Sequence, residues 1–358
     1  MSEAQKKVKV HVDKVNKSYG DNHVLRDISL DIAENEVVVM IGPSGSGKST
    51  FLRMLNQLET QDDGTIVVDG FDISDKKTDI NKVRENIGMV FQNFNLFNNY
   101  TVLENIMLAP VELGKLDKVA AEKKARELLD TVGLADKADV SVNSLSGGQK
   151  QRTAMAGVLV DDGRLLLFDE PLASLDPAAG NAAMDMINRL QAERDLTVVI
   201  IEHRIEEVLR ADVDRIIVMS DGHIVADDTP TAIIQAGILP ENGLDEPLFV
   251  QLLRRSGIEV AKLDHVADVQ LVSVDDQKHA IEQLKVPVKR QPVLPEKLVV
   301  QNLNFGYDTH EALFEGLNTS IRQGEILGIV GKNGSGKTTL SHLLTGFLMP
   351  DSGDILLD

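Results

Sequence analysis

One glycine loop occurs twice in this chain, and it limits the fold more than any other feature. The first copy is Gly42, Pro43, Ser44, Gly45, Ser46, Gly47, Lys48, Ser49 and Thr50. It fits G-x-x-x-x-G-K-[ST], the phosphate-binding loop. The apolar run Val37 to Ile41 precedes it and reads as a buried strand. Phe51 to Leu55 follows and reads as a helix with an apolar face. Strand, glycine loop and helix together are the context the motif requires. The glycines let the backbone curl so that successive N–H groups point inward at phosphate oxygens. The helix N-terminus adds partial positive charge. Lys48 is expected to reach the β- and γ-phosphates, and Ser49 to ligate Mg²⁺.

The second copy is Gly331, Lys332, Asn333, Gly334, Ser335, Gly336, Lys337, Thr338 and Thr339, after the apolar Ile326 to Val330. Its flanks repeat as well. Asp69 follows Lys48 by 21 positions, and Asp358 follows Lys337 by 21. Tyr19 stands 23 positions before Gly42, and Tyr307 stands 24 before Gly331. Val8 to Asp69 and Leu298 to Asp358 therefore read as an internal repeat of the beginning of a domain. The second copy stops at Asp358, so it is expected to be incomplete.

The 358 residues give room for two domains or so, with ample core. The net charge of −19 argues against a nucleic-acid partner and against spontaneous binding to anionic lipid. There is no cysteine, hence no disulfide and no thiolate chemistry, which fits a cytosolic protein. Met1 to Lys9 is polar and reads as no signal peptide. No apolar run approaches the roughly 18 residues of a membrane span, so action at a membrane requires a partner.

Alternation over Val8–Val15 and Val24–Ile32 predicts a small antiparallel sheet ahead of the loop, and Gly64–Val68 with Asp69-Gly70 reads as another strand and turn. Ile87–Phe91, Leu165–Phe168 and Thr197–Ile201 read as strands, Leu165–Phe168 uniformly apolar, as in a parallel strand covered on both faces. Thr101 to Leu134 is helical, and so are Ala182–Leu190 and Ile205–Arg210. Asp221-Gly222 marks a hairpin between Arg215–Met219 and Ile224-Val225. Two helices, Thr231–Ala236 and Pro247–Arg255, are followed by a linker over 257–295, with a short helix near Gln277–Leu284. Pro287, Pro292 and Pro295 keep its end extended. The domains expected are 1–236, complete; 237–295, helical extension and linker; and 296–358, a truncated repeat.

Three further patches bear on chemistry. Leu145, Ser146, Gly147, Gly148 and Gln149 open a helix, and suit a second anion grip or an ordinary helix cap. Asp169 and Glu170 end the apolar strand. By themselves they read most simply as a solvated turn. Beside a phosphate loop, Asp169 is placed to hold Mg²⁺ and Glu170 to polarise an attacking water as general base. His203 follows the next strand, and the eight histidines show no metal-ligand spacing, so no zinc site is assigned.

Taken together, these pieces resemble the nucleotide-binding subunit of ABC transporters. The matching residues are the loop Gly42 to Thr50, Gln92 in "MVFQNF", "LSGGQ" at Leu145 to Gln149, "LLLFDEP" at Leu165 to Pro171, "SLD" at Ser174 to Asp176, and His203 in "IIEHR". They occur in the family's order. The resemblance implies an α/β fold, a P-loop NTPase of the ABC type. Such a fold has a parallel sheet core, an antiparallel β subdomain and a helical subdomain, followed here by an incomplete second copy. It implies ATP and Mg²⁺ as cofactors, with ATP held between the phosphate loop of one domain and the signature of another. By the same resemblance Tyr19 stacks on adenine, and Gln92 senses Mg²⁺ and the membrane partner. Asp176 communicates across the dimer, and His203 holds the γ-phosphate. Tyr307, Gly331 to Thr339, and Thr338 on Mg²⁺ would repeat these roles in the second copy.

The first 150 residues look most like the ATPases of polar amino-acid importers. From Thr153 onward "MAGVLVDDGRLLLFDEPLASLDP" and "IIEHRIEEVL" look like the fused ATPase of energy-coupling-factor vitamin importers of the hydroxymethylpyrimidine/thiamine type. The expected function is the ATP-hydrolysing subunit of a membrane importer, for a vitamin or vitamin precursor, with a polar amino acid as the alternative. Its expected place is the cytoplasmic face of the cell membrane, through transmembrane subunits. A soluble ATPase acting on ribosomes or DNA is disfavoured by the charge and by a 257–295 segment that is not strongly basic. A non-hydrolysing binder is discounted because Lys48, Asp169, Glu170 and His203 are all retained. With two phosphate loops but one Asp-Glu pair and one signature, neither site is complete in one chain. Hydrolysis is expected to require a second ATPase domain, in a homodimer or a partner chain. The chain is then either a fragment of a longer double-domain protein or one that works with a partner ATPase.

Overall fold

The uniformly apolar runs of the sequence become the interior strands of a sheet. The computed structural model describes residues 7–161, 163–173, 175–273, 278–282, 294–307, 312–331 and 334–358. The chain divides into two units, Met1–Leu284 and Lys285–Asp358.

Among the described residues, the first unit contains strands β1 (Val8–Tyr19), β2 (Asn22–Ala33), β3 (Val37–Ile41), β4 (Asp63–Val68), β5 (Phe71–Asp72), β6 (Ile87–Val90), β7 (Leu165–Asp169), β8 (Thr197–Ile201), β9 (Arg215–Ser220) and β10 (His223–Asp228). Six of them form one sheet in the order β10-β9-β3-β8-β7-β6. The pairs β9–β3, β3–β8, β8–β7 and β7–β6 are parallel, and β10 is an antiparallel edge. Every residue of β3, β7 and β8 is buried. Strands covered on both faces need apolar residues at every position, which is why alternation is missing from these runs.

The two faces nevertheless separate by parity. Val37, Val39, Ile41, Leu166, Phe168, Val198 and Ile200 join one core; Val38, Met40, Leu165, Leu167, Val199 and Ile201 join another. That is the period of two of an extended chain. The second core is shared with the antiparallel sheet β2-β1-β4-β5, whose β1 and β2 alternate as the sequence predicts.

The helices of this unit are α1 (Lys48–Met54), α2 (Ile80–Arg84), α3 (Val102–Glu112), α4 (Lys118–Thr131), α5 (Gly147–Leu159), α6 (Pro177–Arg194), α7 (Ile205–Val208), α8 (Pro230–Ala236), α9 (Ile238–Glu241), α10 (Leu248–Arg255) and α11 (Lys278–Glu282). α3, α4 and α5 pack on one another as the helical subdomain, and α5 also contacts β6 and α6. Thr101 starts α3 with a reciprocal cap: its hydroxyl accepts from the Glu104 N–H, and the Glu104 carboxylate accepts from the Thr101 N–H.

The stretch expected as a linker from 257 begins with packed residues. Ile258, Val260, Leu263 and Val266 are buried with Ile234, Val250 and Leu253 in a small separate core. Sequence reading missed this because four apolar residues without helical or strand periodicity carry no element signal. α11 lies where the short helix was expected. Pro287 and Pro292 lie outside the described residues.

The second unit has strands β11 (Glu296–Phe305), β12 (Phe314–Arg322) and β13 (Ser352–Leu357) and helix α12 (Lys337–Leu344). The antiparallel order β12-β11-β13 repeats β2-β1-β4. Val300, Leu303, Phe305 and Leu343 are its buried core. The run Ile326–Val330, which copies Val37–Ile41 in sequence, forms no strand, and Ile326 is 97% exposed and Val330 92%. The difference is in the neighbours. β3 is buried because β8 and β9 pair with its two edges, whereas none of the described strands pairs with 326–330.

This contrast is testable by limited proteolysis with an enzyme that cuts before Ile, Leu and Val. The first cleavages are expected at 326–330, with Val37–Ile41 intact, as read by mass spectrometry. Equal early cutting in both runs would contradict the described burial.

Candidate functional site

Parallel strands bring their carboxyl ends to one edge of the sheet, and three chemical segments start there. β3 runs into the glycine loop at Gly42, β7 ends on Asp169 and passes to Glu170, and β8 ends on Ile201 before His203. Ile201 stands in register with Met40 on one side and Asp169 on the other. The Glu170 N–H donates to the Ile201 carbonyl at 3.1 Å, which locks the turn that leaves β7.

Two glycines of the loop are required by space. At Gly42 a Cβ would collide with the Met219 carbonyl oxygen. Gly47 has φ of 97°, and a Cβ there would come within 2.5 Å of Leu25 Cδ2 and 2.9 Å of the Val24 oxygen. α1 then opens at Lys48 with no side-chain cap, so its first-turn N–H groups have no side-chain acceptor.

Lys48 is buried, and its Nζ donates to the carbonyls of Gly42 (2.8 Å) and Pro43 (2.9 Å) and to Ser46 Oγ (3.2 Å). Burial lowers its pKa, and the negative charges of Glu170 and Asp169 oppose that shift. The buried Asp169 accepts from Ser49 Oγ on Oδ1 at 2.8 Å and from an Arg53 NH₂ group on Oδ2 at 2.9 Å. Arg53 lies four residues after Ser49 on α1, so both reach the same carboxylate.

Glu170 sits in left-handed backbone, φ 51°. Its carboxylate is bracketed: Gln92 Nε2 donates to Oε2 at 3.3 Å, and His203 Nε2 lies 2.9 Å from Oε1. Tyr19, near the start of the unit, is half-exposed, with Lys17 Nζ 5.1 Å from its ring centroid. Burial first, and then Glu59, raise its phenol pKa.

Ser146 and Gln149 cap α5 reciprocally, Ser146 N–H donating to Gln149 Oε1 at 2.8 Å and Gln149 N–H to Ser146 Oγ at 3.4 Å. Gly147 and Gly148 form the first turn behind them. Asp176 caps α6, accepting from the Ala179 N–H at 3.0 Å. In the second unit Lys337 Nζ donates to the Gly331 carbonyl at 2.7 Å, and Tyr307 Oη lies 3.0 Å from Thr339 Oγ1. A cavity of about 470 Å³ there is lined by Tyr307, Gly334, Gly336, Lys337, Thr338 and Thr339 among others. Lys332, Asn333 and Ser174 lie outside the described residues.

Sequence reading missed three residues here. Arg53 is one. The others are Glu202 and Arg204, on either side of His203. Glu202 is buried and accepts the backbone N–H groups of Leu172, His203 and Arg204. Burial raises its pKa, against the pull of those N–H groups and of the Arg204 charge. A carboxylate directly after a uniformly apolar strand was the available signal.

The donor set fits Mg²⁺ bound together with phosphates. Among the described residues no group of three or more His, Asp and Glu side chains could cage a metal. One hydroxyl and one carboxylate already meet at Ser49–Asp169. Mg²⁺ characteristically takes one or two such protein ligands, with the rest from phosphate and water.

A family model described as ABC transporter matches residues 25–173 and 314–358, and one described as ATP-binding cassette cobalt transporter matches 236–305. A protein of Lactiplantibacillus plantarum, whose own description as an ABC transporter ATP-binding protein is an inference, is 42% identical over 338 residues, covering 92% of this chain and 59% of that protein. A similarly described Clostridium perfringens protein is 37% identical, covering 93% of this chain and 60% of its own length. This chain thus spans about three fifths of the length of those relatives. Among solved structures, cbiO1 from Clostridium perfringens, part of the ABC transporter complex cbiONQ, is 30% identical with a TM-score of 0.61, covering 70% of this chain and all of that one. A dimeric ATP-binding cassette bound to ADP and Pi is 34% identical with a TM-score of 0.56, covering 62% of this chain and 98% of that one. The phosphate loop, the carboxylates at the end of β7 and the helical subdomain thus have one common explanation: the chain belongs to the ATP-binding cassette family of ABC transporters, whose cassettes are ATPases.

Proposed function

We propose that this chain binds and hydrolyses ATP to energise a membrane importer. The carrying observation is the convergence of Lys48, the Ser49–Asp169 pair and the Gln92–Glu170–His203 group at one sheet edge. Lys48 turns from its loop carbonyls to the β- and γ-phosphates, and the N–H groups of Gly45 to Ser49 take the oxygens between. Ser49 and Asp169, together with Gln92, would hold Mg²⁺, which when bound would neutralise phosphate charge. Arg53 holds the Asp169 carboxylate in place.

Glu170 is the general base. Its Oε1 is engaged by His203 Nε2, and one ring nitrogen cannot donate to a carboxylate and a phosphate at once. Transfer of that bond to the γ-phosphate frees Oε1 to accept a proton from water. Tyr19 offers its half-exposed ring to adenine. Ser146 to Gln149, uninvolved in this chain's own cluster, are free to face the phosphate loop of a second cassette.

The membrane contact is assigned to the surface after Gln92. Phe94 and Leu96 pack partly against the main core, but Phe97 is 54% exposed and meets Tyr100 edge-on at 6.0 Å. An exposed Phe97 beside the partly buried Tyr100 supports a partner surface here. Among the described residues no helix is long and apolar enough to cross a membrane, so transmembrane subunits form the pathway. The proposed class is an energy-coupling-factor importer for a vitamin or vitamin precursor, at the cytoplasmic face of the membrane. A second reading, cobalt, is favoured by the cobalt-transporter description matching 236–305. The sequence of the membrane protein that co-purifies with the chain, and uptake of each candidate solute by that complex, separate the two.

Glu170→Gln is expected to slow ATP turnover by about 10²–10⁴-fold while ATP binding persists; near wild-type turnover would remove Glu170 from the role. Lys48→Ala is expected to act on binding itself, at least about tenfold in the ATP dissociation constant, because a charge on the phosphates is lost. Phe97→Asp is expected to leave the melting temperature and basal hydrolysis intact and to uncouple hydrolysis from solute uptake in reconstituted vesicles. Loss of folding would return Phe97 to the core. Specific ATPase activity of the whole chain is expected to rise with protein concentration, since a second cassette completes the site. Concentration-independent turnover that Lys337→Ala abolishes would show that the two halves of one chain suffice. The whole chain is the sample to use, because a cut at residue 256 would strip Ile258 to Val266 from Ile234, Val250 and Leu253.

A further inference from the structure

Glu202 has no part in the chemistry above, yet its side chain is buried to 2% exposure directly beside it. Its Oε1 accepts the N–H groups of His203 at 2.8 Å and Arg204 at 3.2 Å, and its Oε2 accepts that of Leu172 at 3.2 Å. Leu172 belongs to the segment that leaves Glu170 and runs to Asp176 at the head of α6. Arg204 holds the same segment by its carbonyls: its guanidinium donates to Leu172 O at 2.5 Å and Leu175 O at 3.4 Å. Arg204 also lies 3.4 Å from Glu207, and a Cβ on Gly180 in α6 would come within 3.0 Å of its NH₂ group.

Three backbone donors and two backbone acceptors are thus bound by one acid–base pair. A buried carboxylate is costly to keep and is a weak source of stability. It does supply two oxygens that only accept, which no neutral side chain of that size offers. The clamp also sits two residues from Glu170, whose left-handed backbone persists only where its surroundings hold it.

We propose that Glu202, acting with Arg204, is a positioning residue that fixes the His203 turn against Leu172 and Leu175, so that Glu170, His203 and Asp176 are presented in one fixed arrangement. A change felt at His203 is then carried through two side chains to Asp176, the residue assigned to the facing cassette. The inference rests on the nucleotide reading for its consequence, but the clamp itself is a property of the free chain.

The test uses the full-length chain with Glu202→Gln and Arg204→Lys. Glutamine keeps the size but has one accepting oxygen, so one side of the clamp opens; lysine keeps the charge but cannot span both carbonyls. Each variant is expected to lower kcat by about tenfold or more, with KM and the ATP dissociation constant within about twofold of wild type and the melting temperature preserved. Hydrogen exchange at the Leu172 amide is expected to accelerate in Glu202→Gln. The double variant is expected to be no slower than the slower single one, since both open the same clamp. Unchanged kcat with unchanged exchange, or a loss confined to KM, overturns the proposal. If Glu202→Gln does not fold, Arg204→Lys carries the same kcat and exchange test. A wild-type chain that binds no ATP would overturn the nucleotide reading instead, and exchange at Leu172 would still decide the clamp.

Discussion

The site depends on the pairing of β3 with β8 on one edge and β9 on the other. That arrangement removes all of Val37–Ile41 from water and leaves the chain one exit, at the carboxyl end of the strand. Because β8 and β7 run parallel to it, their ends arrive at the same level, carrying His203 and the Asp169-Glu170 pair. Parallel strands have to be covered on both faces. The two cores that do so, one shared with the helical subdomain and one with the antiparallel sheet, hold the loop in place from opposite sides. Gly42 and Gly47 record how close that packing comes, since each lies where no side-chain carbon fits.

The electrostatics are local rather than global. A chain with net charge −19 is poorly suited overall to a polyphosphate ligand. The edge of the sheet answers this with groups whose positive charge is fixed: the N–H groups of the loop and of α1, Lys48, and Arg53 against Asp169. Lys48 is held by three oxygens of its own loop while burial disfavours its charge. On the proposed reading, an incoming phosphate would replace these neutral partners of Lys48 with anionic oxygens, the stronger acceptors. The Ser49–Asp169 and His203–Glu170 contacts likewise engage, in the free chain, atoms to which the proposed function gives roles on the nucleotide.

The second unit shows what the local sequence does without those neighbours. The antiparallel sheet, the glycine conformations and the helix of the repeat all form: Gly334 and Gly336 have positive φ as Gly45 and Gly47 do, and Lys337 finds the Gly331 carbonyl as Lys48 finds that of Gly42. The glycine conformations and the helix are decided within a few residues; the sheet joins β11 to β12 and, over a longer span of chain, to β13. The strand that leads into the loop does not form, because a central parallel strand is stabilised only by partners distant in sequence.

The same division separates what the sequence determined from what the tertiary structure decided. The order of strands and helices, the hairpin at Asp221-Gly222, the cap at Ser146 and the loop at Gly42 to Thr50 were legible, since each rests on local backbone preference or hydrophobic period. Glycine, lysine and carboxylates at strand ends also announced the chemistry, because those residue types in that order have few other uses. Distance in sequence hid the rest. Arg53 meets Asp169 across 116 positions, and Glu202 meets Leu172 across 30. Phe94 and Phe97 are equivalent in composition, and only packing put one against the core and left the other in solvent. Ile258 to Val266 had no period, and became core because α8 and α10 presented an apolar face to them. Ile326 to Val330 had every mark of a buried strand and lacked only its partners. An apolar run states that burial is favourable, but burial itself requires surfaces that other parts of the chain supply.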